Sequence, residues 1–162
     1  MDMVNSRRDF KMSDRPAQIE VMARGVCIRD RHLLVCHTRG AQNTYLPGGH
    51  VEFQESAPDA LVREIREELG VPSRVRGFLG VIEHEYLQKG RIHCEVNLVF
   101  ALDLKMTADA SPVSCEGHLD FRWIPLNRLG RGNLEPAPLR KRLALWVRDG
   151  MIPSRWDSTL GG

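Results

Sequence analysis

Three glutamates crowd into five residues of a segment that otherwise has a helical pattern. Glu64, Glu67 and Glu68 share one helical face, where each pair of like charges costs about 0.2–0.5 kcal/mol even in water. A hard divalent cation such as Mg²⁺ or Mn²⁺ offsets that repulsion, because it takes oxygen ligands and keeps waters that can bridge to a phosphate. The spacing therefore makes this face a candidate metal site.

The alternative is an ordinary solvated helix face. At about 100° per residue, an apolar stripe runs along the helix, and Glu68 falls within it with Glu64 beside it. The stripe consists of Ala57, Leu61, Ile65 and Leu69. An acid at the edge of a packed stripe needs a partner, because an unpaired charge is expensive to desolvate. The solvated interpretation fits Arg63 and Arg66 better.

Both ends of this helix are visible in the sequence. Ser56 and Asp59 fit a capping box with a first-turn proline, Pro58. Gly70 stands where helices commonly end in a left-handed residue. Upstream, residues 46–49 (Leu-Pro-Gly-Gly) form a predicted tight turn whose backbone can approach a ligand. Carbonyls of this turn could join the helix carboxylates around one ion.

From Gly49 to Val71 the chain reads GHVEFQESAPDALVREIREELGV. The spacing of its glycines, glutamates and arginine resembles the Nudix box, the signature of Nudix hydrolases, with every defining position filled. The resemblance implies an α/β fold, a Nudix-type α/β/α sandwich with a central mixed β-sheet. The family's order of elements extends from about residue 19 to about residue 149.

The resemblance also implies roles for individual residues. The ligands of Mg²⁺ or Mn²⁺ would be the carbonyl of Gly48 and the carboxylates of Glu64, Glu67 and Glu68. Gly49 is the box glycine, and Glu55 with Arg63 matches a pair that orients the helix carboxylates. The alternative for that pair is a surface salt bridge worth at most about 1 kcal/mol.

Nudix hydrolases typically cleave a pyrophosphate bond in a nucleoside diphosphate linked to another group X, with water attacking phosphorus. A carboxylate must accept the proton of that water, and the candidates are Glu64 and Glu116. Glu116 precedes a predicted strand, where the family's mobile loop brings an additional acid; an exposed loop glutamate is the alternative. A non-catalytic nucleotide sensor is the alternative function, but the complete box favours the enzyme.

The substrate is less defined than the chemistry. A small-molecule nucleotide, either a nucleoside triphosphate or a nucleotide sugar, is the default expectation. Arg39 and Tyr45 are candidate substrate-binding residues, as a phosphate contact and a stacking surface. The net charge of only +2 makes nucleic acid an improbable partner.

At 162 residues the chain has the length of one domain, predicted over residues 18–162 after a flexible arm at 1–17. No stretch approaches the roughly 18 apolar residues of a membrane span, and the start lacks a secretory signal. The expected location is the cytoplasm. Of the four cysteines, Cys27, Cys36 and Cys94 are expected to be buried thiols.

Further elements follow from periodicity. Strands are predicted at residues 19–28, 33–36, 51–53, 78–87, 92–102 and 119–124, with a final helix at 137–148 that packs through Leu139, Leu143, Trp146 and Val147. A tight turn at Lys89-Gly90 would pair Tyr86 with His93, Ile82 with Asn97 and His84 with Glu95. The last pair is expected to be structural, and the alternative is that it lines a pocket.

Alternation along the second strand of that hairpin places one set of side chains together on the opposite face, which is predicted to be core. The set consists of Ile92, Cys94, Val96, Leu98 and Phe100. The tail through Trp156 has two open roles, docking on the domain or contributing to a homodimer.

Overall fold

The computed structural model describes residues 18–106, 110–150 and 156–160. The strands are β1 (Ile19–Val26), β2 (Ile28–Arg29), β3 (His32–Thr38), β4 (Gly48–His50), β5 (Ser73–Gln88), β6 (Arg91–Leu104), β7 (Leu119–Pro125) and β8 (Trp156–Ser158). The helices are α1 (Ala57–Leu69) and α2 (Pro138–Arg148), with a 3₁₀ turn at Leu126–Arg128. None of the helices in this part of the chain has the length and apolar character needed to cross a membrane.

The strands form two sheets. The larger sheet has the order β4-β1-β6-β5-β8, and the smaller one has the order β2-β3-β7. In the larger sheet β1 runs parallel to β6 but antiparallel to β4, and β5 runs antiparallel to β6 but parallel to β8. The predicted mixed sheet and α/β class are therefore confirmed.

The two helices cover opposite faces of the larger sheet. Helix α1 buries Leu61 and Ile65 in a cluster with Ala23 and Phe100 of the sheet. Helix α2 buries Leu143 and other apolar residues in a second cluster, which contains side chains from the opposite face of the larger sheet. This arrangement is the predicted sandwich, and it fixes α1 beside strands β1 and β4.

The ends of α1 agree with the capping signals. The Ser56 side chain accepts a hydrogen bond from the Asp59 amide, and Pro58 lies in the first turn. Gly70 ends the helix in the left-handed region, at φ 65°. The carboxylates of α1 are therefore presented from a helix of fixed length and phase.

The β5/β6 hairpin has the predicted register. Lys89 and Gly90 both have positive φ, at 50° and 75°. This turn pairs Tyr86 with His93, His84 with Glu95 and Ile82 with Asn97, so all three predicted pairs are confirmed.

The prediction of which face of β6 is core was wrong over half of the strand. Phe100 is buried, but Ile92 is 43% exposed, and Cys94 is only half-buried. Helix α1 covers the sheet beside Ala23 and Phe100 and leaves the Ile92 end open. On the other face Glu95 and Asn97 are buried, at 9% and 3% exposure.

Two smaller expectations also needed correction. The strand predicted at residues 51–53 lies at Gly48–His50, because the chain turns away from the sheet after His50 and leaves Phe53 exposed. Val147 was assigned to the packed stripe of the last helix, but it lies at the edge of that stripe and is 39% exposed. Of the two open roles of the tail, the structure shows docking on the domain, because backbone residues 156–158 pair with β5.

All four cysteines are free thiols, and Cys27 and Cys36 are buried as predicted. Burial raises the pKa of the Cys36 thiol to about 12, which leaves it inert near neutral pH. The arm predicted at residues 1–17 lies outside the described residues.

Candidate active site

Arg63 is the centre of the charged network on α1. Its Nε and Nη2 donate to the two carboxylate oxygens of Glu55 at 2.9 and 3.0 Å. Its Nη1 donates to Glu64 at 2.9 Å and to Glu67 at 3.2 Å, and Nη2 also reaches the His50 carbonyl. The hydrogen bonds that Arg63 donates to Glu55 raise the pKa of Arg63 and lower the pKa of Glu55. The guanidinium thus orients two of the three helix glutamates.

Gly49 lies directly against the carboxylate of Glu64. A Cβ built at position 49 would collide with all three carboxylate atoms of Glu64. A glycine at this position therefore allows strand β4 and the helix carboxylate to come together.

Glu68 is the most deeply buried acid of the site, with 5% exposure. Its Oε2 accepts a hydrogen bond from the Gly48 amide at 3.3 Å. Burial raises the pKa of the Glu68 carboxyl from 4.5 to about 8; Gly48 and Arg24 oppose the rise, while Glu64 and Glu116 add to it. Such a perturbed acid in a cleft is a typical feature of functional sites.

Gly48 adopts a backbone that only glycine accommodates here. Its φ is 120°, and a Cβ would collide with the carbonyl oxygen of Ala23 and approach Leu61. Strand β4 is an edge strand. The Gly48 amide bonds Glu68, and its carbonyl accepts from Arg24 Nη1 at 2.6 Å.

Arg24 was missed by the sequence reasoning. Besides Gly48, it donates to the Leu46 carbonyl and to Asn97 Oδ1, both at 3.3 Å. Its guanidinium also lies 5.3 Å from the centre of the Tyr45 ring, within cation–π range. A signal was present, because an arginine in the middle of a largely apolar strand must find partners on the same face of the sheet.

The two predicted substrate residues lie in different surroundings. Tyr45 lines the cleft, and its hydroxyl is 2.9 Å from Thr38 Oγ1. Burial raises the pKa of Tyr45 to about 12, so the ring carries a neutral hydroxyl near neutral pH. Arg39 is not among the residues that line the cleft; it forms an exposed ion pair with Asp120 at 3.0 Å.

Glu116 lies in the loop before β7 and lines the same cleft as Glu64 and Glu68. The loop is tied to the end of α1 by a 2.7 Å hydrogen bond from the Cys115 amide to the Glu68 carbonyl. His118 Nε2 is 3.4 Å from Glu116 Oε2. The structure therefore brings Glu116 to the side of the cleft where Glu64 and Glu68 lie.

The cleft has a volume of about 970 Å³ and extends from the α1 glutamates across one face of the larger sheet. Its far end contains three stacked rings, with Tyr86 between His84 and His93 at centroid distances of 5.2 and 5.0 Å. Glu95 accepts from Tyr86 and from Asn97 and makes no hydrogen bond to His84. The pocket alternative for His84 and Glu95 therefore fits the structure better than the structural pair.

Within the described residues, no three His, Cys, Asp or Glu side chains converge closely enough to hold a metal ion by themselves. Arg63 holds Glu64 and Glu67, while Glu68 faces Gly48. A set that combines Glu64, Glu68 and the Gly48 carbonyl contains only oxygen donors, which are the ligands that hard divalent ions prefer.

Comparison with known proteins agrees with this geometry. A profile of the NUDIX domain matches residues 20–149. The YtkD protein of Bacillus subtilis, which carries the provisional name 8-oxo-dGTP diphosphatase, is 29% identical over 146 residues, covering 90% of this chain and 81% of YtkD. An ADP-ribose pyrophosphatase from Methanocaldococcus jannaschii is 31% identical over 104 residues, covering 60% of this chain and 59% of that protein.

Among solved structures, the ORF135 protein of E. coli has the same fold. It superposes with a TM-score of 0.59 at 25% identity, covering 86% of this chain and 96% of ORF135. The profile match spans most of the chain and contains all of the α1 glutamates. The chain therefore belongs to the Nudix family and is a Nudix hydrolase.

Proposed function

We propose that this Nudix hydrolase cleaves a pyrophosphate bond in a nucleoside diphosphate linked to X, using Mg²⁺ or Mn²⁺. The ion would be held by the Gly48 carbonyl and by the carboxylates of Glu64, Glu67 and Glu68. Nudix hydrolases generally act with divalent metal ions, and the relatives named above are a pyrophosphatase and a diphosphatase. These names favour hydrolysis over the sensor alternative.

The observation that carries the proposal is the burial of Glu68 beside Gly48 and Glu64. Burial raises the pKa of Glu68 to about 8, so its negative charge is disfavoured in the metal-free site. A divalent ion reverses this, because it stabilises the carboxylate and displaces its proton. The site therefore fits a hard cation by its donor atoms and by its electrostatics.

When bound, the ion neutralises pyrophosphate oxygens and lowers the pKa of the attacking water. Arg63, held by both oxygens of Glu55, fixes Glu64, which lines the cleft, and also bonds the more exposed Glu67 outside the cleft lining. Either Glu64 or Glu116 accepts the proton of the water, since both line the cleft with Glu68.

The cleft supports a small nucleotide as substrate, either a nucleoside triphosphate or a nucleotide sugar. Tyr45 offers a ring surface within the cleft. Arg39 would first have to break its hydrogen bonds to Asp120 before it could contact a phosphate. The activities named for the relatives, on 8-oxo-dGTP and on ADP-ribose, belong to the same broad class of nucleotides.

The test is a substrate panel assayed with Mg²⁺, with Mn²⁺ and with EDTA. The panel contains nucleoside triphosphates, 8-oxo-dGTP, ADP-ribose, nucleotide sugars, dinucleoside polyphosphates, NADH and coenzyme A, and product release is followed by chromatography. We expect metal-dependent turnover with a clear preference for one class. Tight binding of one compound without turnover of any would contradict the proposal and support the sensor alternative.

Two further expectations remain predictions. One is a cytoplasmic location, and the other is assembly into a homodimer. Fractionation of cells and light scattering of the purified protein would test them separately.

A further inference from the structure

A series of hydrogen bonds crosses one face of the larger sheet and ends at Gly48. Tyr86 Oη donates to Glu95 Oε1 at 3.1 Å, and Asn97 Nδ2 donates to Glu95 Oε2 at 3.3 Å. Arg24 Nε then donates to Asn97 Oδ1 at 3.3 Å, and Arg24 Nη1 donates to the Gly48 carbonyl at 2.6 Å. The series links the far end of the cleft to strand β4 beside Glu68.

The burial of polar side chains in this series requires an explanation. Glu95 and Asn97 are buried on the sheet face, where unpaired polar groups are costly and where neighbouring positions carry Val99 and Ile82. Each buried side chain is instead matched to a partner, which makes the arrangement rigid. A face that served packing alone would carry apolar side chains throughout.

The Gly48 peptide is the part of this series that most needs support. It has no side chain to pack, and it lies on an edge strand, so only one side of the strand is held by β1. Its amide is held by Glu68 and its carbonyl by Arg24. The direction of the carbonyl therefore depends on the position of the guanidinium.

We propose that Arg24 is a positioning residue that aims the Gly48 carbonyl at the bound divalent ion, and that Asn97 and Glu95 hold Arg24 in place. The inference rests on the proposed function, in which this carbonyl is a ligand. A carbonyl oxygen has two lone pairs, so it accepts from Arg24 and still has one for the ion. The planar guanidinium reaches Asn97 and the carbonyls of Leu46 and Gly48 together, which the single nitrogen of lysine cannot do.

The test measures Mn²⁺ binding to the full, nucleotide-free chain by electron paramagnetic resonance, together with kcat and KM. Arg24→Lys keeps the positive charge but loses the planar guanidinium with its several N–H donors. We expect Mn²⁺ affinity to fall about 10- to 100-fold, the usual range for residues that orient ligands. We expect kcat to fall as well. Asn97→Leu should cause a smaller loss of the same kind. The double variant should bind no worse than Arg24→Lys, because Asn97 acts through Arg24.

Arg76→Lys is the matched control, since Arg76 forms an exposed ion pair with Asp103 and does not line the cleft. It should leave Mn²⁺ affinity unchanged. Thermal melting identifies any variant that fails to fold. If Asn97→Leu does not fold, Glu95→Gln replaces it, because this change keeps the shape of the side chain. Glu95→Gln should also weaken Mn²⁺ binding.

Three results would overturn the inference. Unchanged Mn²⁺ affinity with a raised KM in Arg24→Lys would make Arg24 a direct substrate contact. Tighter Mn²⁺ binding in that variant would mean that the guanidinium competes with the ion for the carbonyl. Losses that add fully in the double variant would show that Asn97 does not act through Arg24. Absence of Mn²⁺ binding in the unmodified protein would instead reject the proposed function itself.

Discussion

The two ends of the cleft are built in different ways. At the α1 end, Glu64, Glu67 and Glu68 come from one helical turn, and Arg63 on the same turn bonds the first two. At the sheet end, the connected residues come from different strands, and the Arg24–Asn97 bond joins positions 73 apart in sequence. The glutamates that need a fixed mutual spacing therefore come from one short stretch of sequence. The wall that would surround the rest of a substrate depends instead on which strands pair and in which register.

This difference predicts different kinetic effects at the two ends. Changes at the α1 end should lower kcat, because they affect the groups nearest the candidate ion. Changes in the ring stack around Tyr86, at the far end of the cleft, should mainly alter KM, because those rings border the remainder of the cleft. Arg24 and Asn97 are excepted, because we propose that they act on the Gly48 carbonyl beside the ion. The following variants test that division.

The largest effect should come from removing the general base. Glu64→Gln and Glu116→Gln are nearly isosteric, and the one that removes the base should lower kcat by about 10²- to 10⁴-fold. If Glu116 is the base, its variant should keep Mn²⁺ affinity, which separates loss of a base from loss of a ligand. Comparable kcat in both variants and the unmodified protein would remove both residues from the reaction.

A smaller loss is expected on changing the residue that orients the carboxylates. Arg63→Lys retains the charge but cannot bond Glu55, Glu64 and Glu67 together. We expect activity to fall about 10- to 100-fold, measured as kcat at saturating Mg²⁺. Arg66→Lys on the same helix is the control. Equal activity of Arg63→Lys and the control would reduce the Arg63 network to a surface ion pair.

A pH dependence should follow from Glu68. Its pKa in the metal-free protein is raised from 4.5 to about 8 by burial. Between these values the unfolded chain loses a proton that the folded protein keeps, so this residue makes stability fall as pH rises. Melting temperatures in EDTA across this range should therefore decline more in the unmodified protein than in Glu68→Gln. Parallel curves would mean that Glu68 is already ionised without metal.

The smallest effect is expected at the far end of the cleft. Tyr86→Phe removes one hydrogen bond to Glu95 and keeps the ring stack. A single hydrogen bond contributes about 1 kcal/mol, so the rise in KM should not exceed about fivefold, with little change in kcat. A large fall in kcat would break the division between the two ends.

Much of the α1 end could be predicted from the sequence, because helical periodicity and capping act over a few residues. Ser56 caps the start of the helix and Gly70 its end, both where expected. The apolar stripe correctly predicted that Glu68 is buried. The register of Tyr86 with His93 was also predicted, since a two-residue turn fixes it.

The sheet end could not be predicted to the same extent. Which face of β6 is buried depends on where α1 lies over the sheet. The alternation of apolar residues along β6 predicted a buried face at Ile92, but Ile92 is exposed. Arg24 finds its partners only after β1 is placed between β4 and β6. These contacts arise from the packing of distant segments, and no local pattern contains them.

The most direct test of the account compares turnover of the preferred substrate by the unmodified protein and by Glu68→Gln, each titrated with Mg²⁺. We predict that Glu68→Gln folds, with a normal melting curve, but loses nearly all metal-dependent turnover. Normal turnover in that variant at the same Mg²⁺ concentrations would contradict the assignment of the buried glutamate to the catalytic centre.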